Sequence, residues 1–287
     1  MNKISIKASD NMSLKSELKN LDETLQHANL DHLIERMLEN IGSTDPELRD
    51  SLIYNSFGKL IMENYLTIKQ MNYILVVSLR NLFQGIGQKE DDSVFSRSFS
   101  SLVLVLLLMK DKEERFLSDD TLKQLTEGSI AYLKLEEDIR GHVAGKGWAH
   151  SIAHGADLLT EAINHPNFTM TFSSECLETI KLSLFKDSTR ELPYVDDEEE
   201  RLVYAVVALQ EKGVSDSEIE DWLSTISDDL TKLVEKEGYS LNFFWKRSNV
   251  IKFLRGYYFR LLYKNESLQI RESIVEILER WHKETFN

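Results

Sequence analysis

The residue types most suited to chemistry are concentrated in one stretch of the sequence, between Asp138 and Pro166. This stretch holds four of the twelve glycines and four of the seven histidines, which are His142, His150, His154 and His165. In a helix that advances about 100° per residue, two of these histidines share one face with two carboxylates. The residues of this predicted face are His150, His154, Asp157 and Glu161. Imidazoles and carboxylates on one face suit metal ligation, so we expect the functional site here.

A divalent metal ion is the first ligand that this pattern suggests. His150 and His154 are four residues apart and can present two ring nitrogens to one Zn²⁺ or a similar ion, with Asp157 as third ligand. Ser151 stands where the metalloprotease pattern HExxH has its glutamate. A metal-dependent hydrolase would therefore need another base, for which we consider Asp138 or Glu161.

An anion is the second ligand that the stretch suggests. Arg140, His142 and Lys146 lie in a glycine-punctuated loop that leads into the predicted helix. Basic side chains beside the free amides of a helix N-terminus suit phosphate or carboxylate. The loop is not a Walker A motif, because Lys146 is followed by Gly147 rather than by Ser or Thr.

A second polar group precedes this stretch and contains Asp92, Arg97 and Ser98. Arg97 lies between Phe95 and Phe99 on a helix with a strongly apolar sequence. A buried arginine requires a carboxylate partner, because an unpaired buried charge costs several kcal/mol. We therefore expect Arg97 to pair with Asp138 or Asp157.

A purely structural interpretation is also open. In it, His150 and His154 hydrogen-bond to Asp138, Asp157 or a backbone carbonyl, and the whole group is a polar network between helices.

The acidic run 196–200 is interpreted as a solvated helix start, because acidic residues complement the positive end of the helix dipole.

The elements that must position these residues are helices. Three prolines and almost no period-2 alternation predict an all-α chain of about eleven helices, including helices at 119–135, 148–164 and 241–263. Helix starts recur in pairs about 40 residues apart, as expected of stacked helical hairpins. We predict a HEAT-like, ARM-type α-α superhelix, with an α/α toroid as the alternative. Residues 1–12 are expected to be loosely ordered, and 13–287 to form a single domain.

Composition excludes several classes of protein. A net charge of −14 argues against a nucleic-acid binder, because phosphates would meet a repelling field. One cysteine cannot form an intramolecular disulfide. The longest apolar run, 102–109, is far shorter than the roughly 20 residues that cross a bilayer. We expect an acidic cytoplasmic protein without a signal peptide or a membrane segment.

Three segments carry a resemblance to a known family. They are PELRD at 46–50, DSVFSRSFSSLVL at 92–104 and EDIRGHVAGKGWAHSIAHGADLL at 137–159. They resemble the bacterial family called domain of unknown function 2785, over most of the chain from about residue 30. The resemblance implies an all-helical, HEAT-like fold, and it implies no activity, cofactor or substrate. The positions that match the long motif are Asp138, Arg140, Gly141, Gly145, Lys146, Gly147, Trp148, His150, His154 and Asp157.

Three hypotheses follow, with the oligomeric state left open. In the first, the chain is a binding module that takes a small anionic ligand, or an acidic or phosphorylated protein segment, in a groove centred on 138–161. The ligand-binding residues would be Asp92, Arg97, Asp138, Arg140, Lys146, Trp148, His150, His154 and Asp157. In the second, the chain is a metal-dependent hydrolase that uses His150, His154 and Asp157. In the third, it is a scaffold whose polar centre is structural.

Overall fold

The computed structural model describes residues 14–27, 29–187 and 192–286, so the segment 1–12 lies outside the described residues. The chain is all-α, as predicted. The helices are α1 (14–19), α2 (Leu21–Thr24), α3 (Leu30–Asn40), α4 (Asn55–Met62), α5 (Ile68–Asn81), α6 (Ser93–Glu113), α7 (Asp119–Leu135), α8 (Ser151–Asn164), α9 (Ser173–Leu184), α10 (Glu198–Lys212), α11 (Asp216–Glu237), α12 (Leu241–Lys264) and α13 (Leu268–Phe286). A π-helical segment, Glu47–Tyr54, runs into α4, and a 3-10 turn, Met170–Phe172, precedes α9.

Local capping explains where several helices begin. Ser118 accepts a hydrogen bond from the Thr121 amide at the start of α7, which begins and ends as the sequence predicts. Before α11, Ser215 and Glu218 form a capping box that satisfies two otherwise free amides. These starts depend only on neighbouring residues, which is why the sequence reveals them.

Alternate helices pack on one another. The series α4, α6, α8, α10 and α12 is continuous, since each member contacts the next. The other helices form pairs outside this series, with α3 on α5, α7 on α9 and α11 on α13. This alternation agrees with stacked hairpins. The HEAT-like type, as opposed to a toroid, stays a prediction.

The helix α8 lies between two hydrophobic cores. Leu158 and Ala162 belong to a core that they form with residues of the preceding helices, including α3 to α7. Ile152, Leu159 and Ile163 belong to the core formed with α9 to α13. A helix that contributes side chains to both cores joins the two halves of the chain. The single domain 13–287 stays a prediction.

The helix α6 is long and apolar enough to cross a membrane by length and composition alone. Most of its apolar residues are nevertheless buried inside the protein, where the helix packs on α4, α5 and α8. This burial is typical of the core helix of a soluble protein, and it agrees with the prediction of a core helix around 102–109.

The predicted start of the central helix at Trp148 is wrong, because α8 begins at Ser151. A short antiparallel hairpin precedes it, formed by β1 (His142–Val143) and β2 (Gly147–Trp148). Gly145 and Gly147 have φ values of +74° and +78°, a region that glycine enters without steric cost. Two glycines at the turn therefore favour a hairpin over an earlier helix start.

Candidate functional site

The approach to α8 is fixed by a buried ion pair. Asp138 is fully buried and accepts hydrogen bonds from Arg140, at 2.8 Å from Nε and 2.6 Å from Nη2. Arg140 Nη2 also donates to the carbonyl of Asp91. Both residues were predicted ligand-binding residues, and the structure engages them with each other.

Arg97 has a different partner from the two that we predicted. Its guanidinium is fully buried and forms a two-pronged pair with Glu136, with Nε to Oε2 at 2.6 Å and Nη2 to Oε1 at 2.9 Å. The remaining nitrogen donates to the Gln84 and Gly85 carbonyls and to the Ser93 hydroxyl. The prediction of a paired arginine is thus right, and its partners Asp138 and Asp157 are wrong.

Lys146 lies at the turn of the hairpin and contacts Asp92, the predicted ligand-binding residue just before α6. Its Nζ is 2.7 Å from both carboxylate oxygens of Asp92, and both side chains are partly exposed. Each cation of the predicted anion site therefore has a carboxylate partner. This arrangement leaves little uncompensated positive charge in the loop.

Arg49 is a site residue that sequence reasoning missed. It is fully buried, lies over the rings of Phe95 and Phe99, and donates to the carbonyls of Lys146 and Trp148. It thereby ties the hairpin to the helices of the first half. The signal available in the sequence was its place in PELRD, one of the segments that carry the resemblance.

His150 occupies the junction of hairpin and helix. It has a left-handed backbone (φ +46°), and its ring stacks on Trp148 with ring centroids 4.2 Å apart. The Trp148 side chain is exposed, and it also contacts the ring of His142. Nε2 of His150 is buried and has no hydrogen-bond partner within the described part of the chain. Burial lowers the pKa of His150, so that the ring is neutral at pH 7 and can ligate a metal.

His154 lies one turn further along α8. Its ring meets those of Phe99 and His150 edge-on, with centroids 5.3 Å and 5.7 Å away. Nδ1 is buried and finds no hydrogen-bond partner among residues 14–27, 29–187 and 192–286. Burial lowers the pKa of His154 to about 3, and the His150 ring acts in the same direction. His154 is a neutral imidazole.

The two acidic residues of the predicted face have separate partners. Asp157 is 3.3 Å from Nη1 of Arg201 on α10, and burial raises its pKa to about 6. Glu161 pairs with Lys112 at the end of α6. The metal set of His150, His154 and Asp157 stays a prediction.

The structure brings His150 together with two carboxylates that the sequence did not suggest. In the described ranges, the donor atoms of His150, Asp196 and Glu198 all lie within 4.8 Å of one another. Glu198 is 1% exposed and Glu199 is also buried, so the prediction of a solvated acidic run at 196–200 is wrong for these two residues, whereas Asp197 is exposed. These residues are buried because α10 begins against α8, which a local pattern cannot reveal.

A hydrogen bond holds the segment just before α10 against the hairpin. Oδ2 of Asp196 accepts a hydrogen bond from the His142 amide at 2.9 Å, and Oε2 of Glu198 accepts one from the Asp196 amide at 3.0 Å. A Cβ on Gly141 would lie 1.9 Å from Asp196 Oδ2, so only glycine allows this approach. Burial, together with the charges of Asp196 and Glu199, raises the pKa of Glu198 to about 7.

The three donors have the chemistry of a metal site. One imidazole nitrogen and two carboxylate oxygens are suitable ligands for zinc, manganese or iron. A cation between these carboxylates would relieve the cost of burying them unpaired. Three protein ligands also leave coordination positions open for water or substrate, as in catalytic rather than structural sites.

The comparisons with known proteins identify a family and no activity. No curated protein and no solved structure matches the chain. The family model described as "Protein of unknown function (DUF2785)" matches residues 82–259, which is more than half of the chain and includes the hairpin, α8 and the start of α10. The chain therefore belongs to the DUF2785 family, as the resemblance suggested. The match contains the segments 92–104 and 137–159, whereas PELRD at 46–50 lies outside it, and the extent from about residue 30 stays a prediction.

Proposed function

We propose that this protein binds a divalent transition-metal ion through His150, Asp196 and Glu198. The observation that carries the proposal is the convergence of their donor atoms within 4.8 Å. The unpartnered Nε2 of His150 and the buried carboxyl of Glu198 add support, because both gain an interaction when a cation is present. The neutral state of His150 is the state that coordinates metal.

The charge distribution supports a cation more than direct anion binding by the hairpin loop. Arg97, Arg140 and Lys146 are engaged by Glu136, Asp138 and Asp92. The atoms that converge at His150 are an imidazole nitrogen with a lone pair and carboxylate oxygens with negative charge. An anion in the loop would compete with three existing ion pairs, whereas a cation would complete the cluster.

A metal-dependent hydrolase is the second candidate function. It is favoured by the three-ligand set, which leaves a position for water. The bases considered from sequence, Asp138 and Glu161, are paired with Arg140 and Lys112. Asp157 is then the candidate base, because its contact with Arg201, at 3.3 Å, is longer than those two pairs and its pKa of about 6 suits proton transfer near neutral pH.

The proposal is tested by metal titration of chelator-treated, dialysed protein. Calorimetry with Zn²⁺ and Mn²⁺ should give about one bound ion per chain, and His150→Ala should abolish binding. The matched control is His32→Ala, which removes an exposed imidazole on α3 and should leave binding unchanged.

His154→Ala distinguishes this ligand set from the one predicted from the sequence, which contains His154 and Asp157. Retained binding supports the set with Asp196 and Glu198, and lost binding supports the set with Asp157. An absence of binding, or equal binding by His150→Ala, would overturn the proposal.

A further inference from the structure

Arg201 is an arginine of the site that has donors to spare. It lies three positions after Glu198, so the two side chains leave α10 on the same side. Its side chain is 52% exposed, and among the described residues it donates one hydrogen bond, from Nη1 to Oδ1 of Asp157 at 3.3 Å. A guanidinium has five N–H donors, so most of them remain available to a ligand.

The position of Arg201 relates it to the proposed metal site rather than to a separate patch. Its positive charge lowers the pKa of both His150 and His154. Asp157, its hydrogen-bond partner, lies one turn beyond His154 on α8. This hydrogen bond therefore joins α10 to α8 one turn beyond Glu198 and one turn beyond His154.

The other arginines near the hairpin are committed to the fold. Arg49, Arg97 and Arg140 are buried, and each donates to carbonyls or carboxylates of the surrounding loops. A ligand could recruit them only by breaking those bonds. Arg201 differs from them in its exposure and in the length of its hydrogen bond to Asp157.

We propose that Arg201 and the ion held by His150, Asp196 and Glu198 jointly bind an oxyanion, a phosphate or carboxylate group of a small molecule. The inference rests on the proposed metal site. One oxygen of the anion completes the coordination of the metal, and the others accept hydrogen bonds from the planar guanidinium, whose fork matches both oxyanions. The exposed ring of Trp148, stacked on His150, provides an apolar wall for the remainder of the molecule.

The first hypothesis from the sequence also had an anionic ligand, but it named different binding residues. The groups that bind it become the metal and Arg201 instead of Arg97, Arg140 and Lys146. Arg201 was not singled out from the sequence, because it belongs to a helix start that was interpreted as solvated.

The test is calorimetric titration of the metal-loaded full-length protein with inorganic phosphate and, separately, with acetate. The two titrations distinguish a phosphate ligand from a carboxylate ligand. Arg201→Gln should weaken binding of the preferred anion by about tenfold or more, the effect expected from losing charged hydrogen bonds. Arg201→Lys should restore part of it, because the charge returns without the fork. Arg80→Gln, which removes an exposed arginine on α5, should bind as the parent does.

The metal titration of the same variants separates the two proposals. Arg201→Gln should bind the metal at least as tightly as the parent, because a nearby positive charge has been removed. Metal binding without Arg201-dependent anion binding would overturn this inference and leave the metal site intact. A protein that binds no metal would overturn both, and equal anion binding with and without metal would overturn joint recognition.

Discussion

The burial of Glu198 opposes its proposed role as a charged metal ligand. A carboxyl group with 1% exposure carries its charge at a high cost, and the pKa of Glu198 rises to about 7 as a result. Its ordinary pKa is 4.5. Below that value both the folded and the unfolded chain hold the proton. Between pH 4.5 and about 7 the unfolded chain releases this proton while the folded chain keeps it, so the stability that this carboxyl contributes falls over that range and is lost above about 7. A bound cation would reverse that loss.

We predict that Glu198→Gln stabilises the metal-free protein at pH 8 and abolishes metal binding. The amide keeps the oxygen that accepts from Asp196 but carries no charge, so the gain should be of order 2 kcal/mol at pH 8. The gain should nearly vanish at pH 4.5. Urea unfolding with chelator at the two pH values measures it. Equal stability of parent and variant at pH 8 would contradict the prediction.

His150 and His154 were identified from their spacing, but their roles depend on contacts far along the chain. The backbone of His150 is left-handed and its ring is directed to Asp196 and Glu198, while His154 is packed against Phe99. The sequence predicts which residues are chemically competent. It does not predict that His150 is the histidine that meets Asp196 and Glu198.

At the scale of elements, the site depends on the contact between the hairpin and the start of α10. Gly141 has no side chain to keep the Asp196 carboxylate away, and the His142 amide then holds that carboxylate in place. The contact joins residues 54 positions apart in sequence. A small change at the hairpin should therefore alter the geometry at the metal ligands.

We predict that Gly141→Ala weakens metal binding by at least about tenfold while the protein still folds. The new methyl group would force Asp196 to move, since its Oδ2 lies 1.9 Å from the ideal Cβ position. The stability cost should be about 1–3 kcal/mol, as for other overpacked sites. Metal calorimetry and urea unfolding measure the two effects.

Gly58→Ala on α4 provides the control for Gly141→Ala. A Cβ there meets nothing within 4 Å, and alanine favours a helix over glycine. Its metal affinity should match that of the parent. A Gly141→Ala variant with unchanged affinity would mean that Asp196 is not held as a ligand by this contact.

At the scale of the whole molecule, α8 connects two cores as well as carrying the histidines. Its buried residues divide between the core of the first helices and the core of the last ones. The proposed ligands lie at or just before the starts of α8 and α10, and these two helices pack directly on each other. The site is therefore located where the two halves of the chain are joined, and its geometry depends on both.

We predict that Leu159→Ala destabilises both halves together, by about 2–5 kcal/mol. Leu159 is fully buried in the second core, and we expect the two cores to unfold as one cooperative unit, so that the loss reaches the first core as well. Hydrogen exchange should accelerate in α4 and in α12 by similar factors. Leu182→Ala, at a 43% exposed position, should change little. Faster exchange in α12 alone would show two independent units.

The sequence by itself determined the all-α class, the bounds of helices such as α7 and the stretch that holds His150. These features depend on periodicity and on capping between residues a few positions apart, which are local interactions. The resemblance to a known family also identified the family, and the family model covers two of the three segments, 92–104 and 137–159.

The tertiary structure alone decided which residues meet. It replaced the predicted partners of Arg97 with Glu136, moved the start of α8 to Ser151, and brought Asp196 and Glu198 to His150. Burial determines whether an acidic run is a solvated helix start or a pair of buried carboxylates, and burial depends on the packing of α10 against α8. That packing joins distant parts of the chain, so no local pattern in the sequence records it.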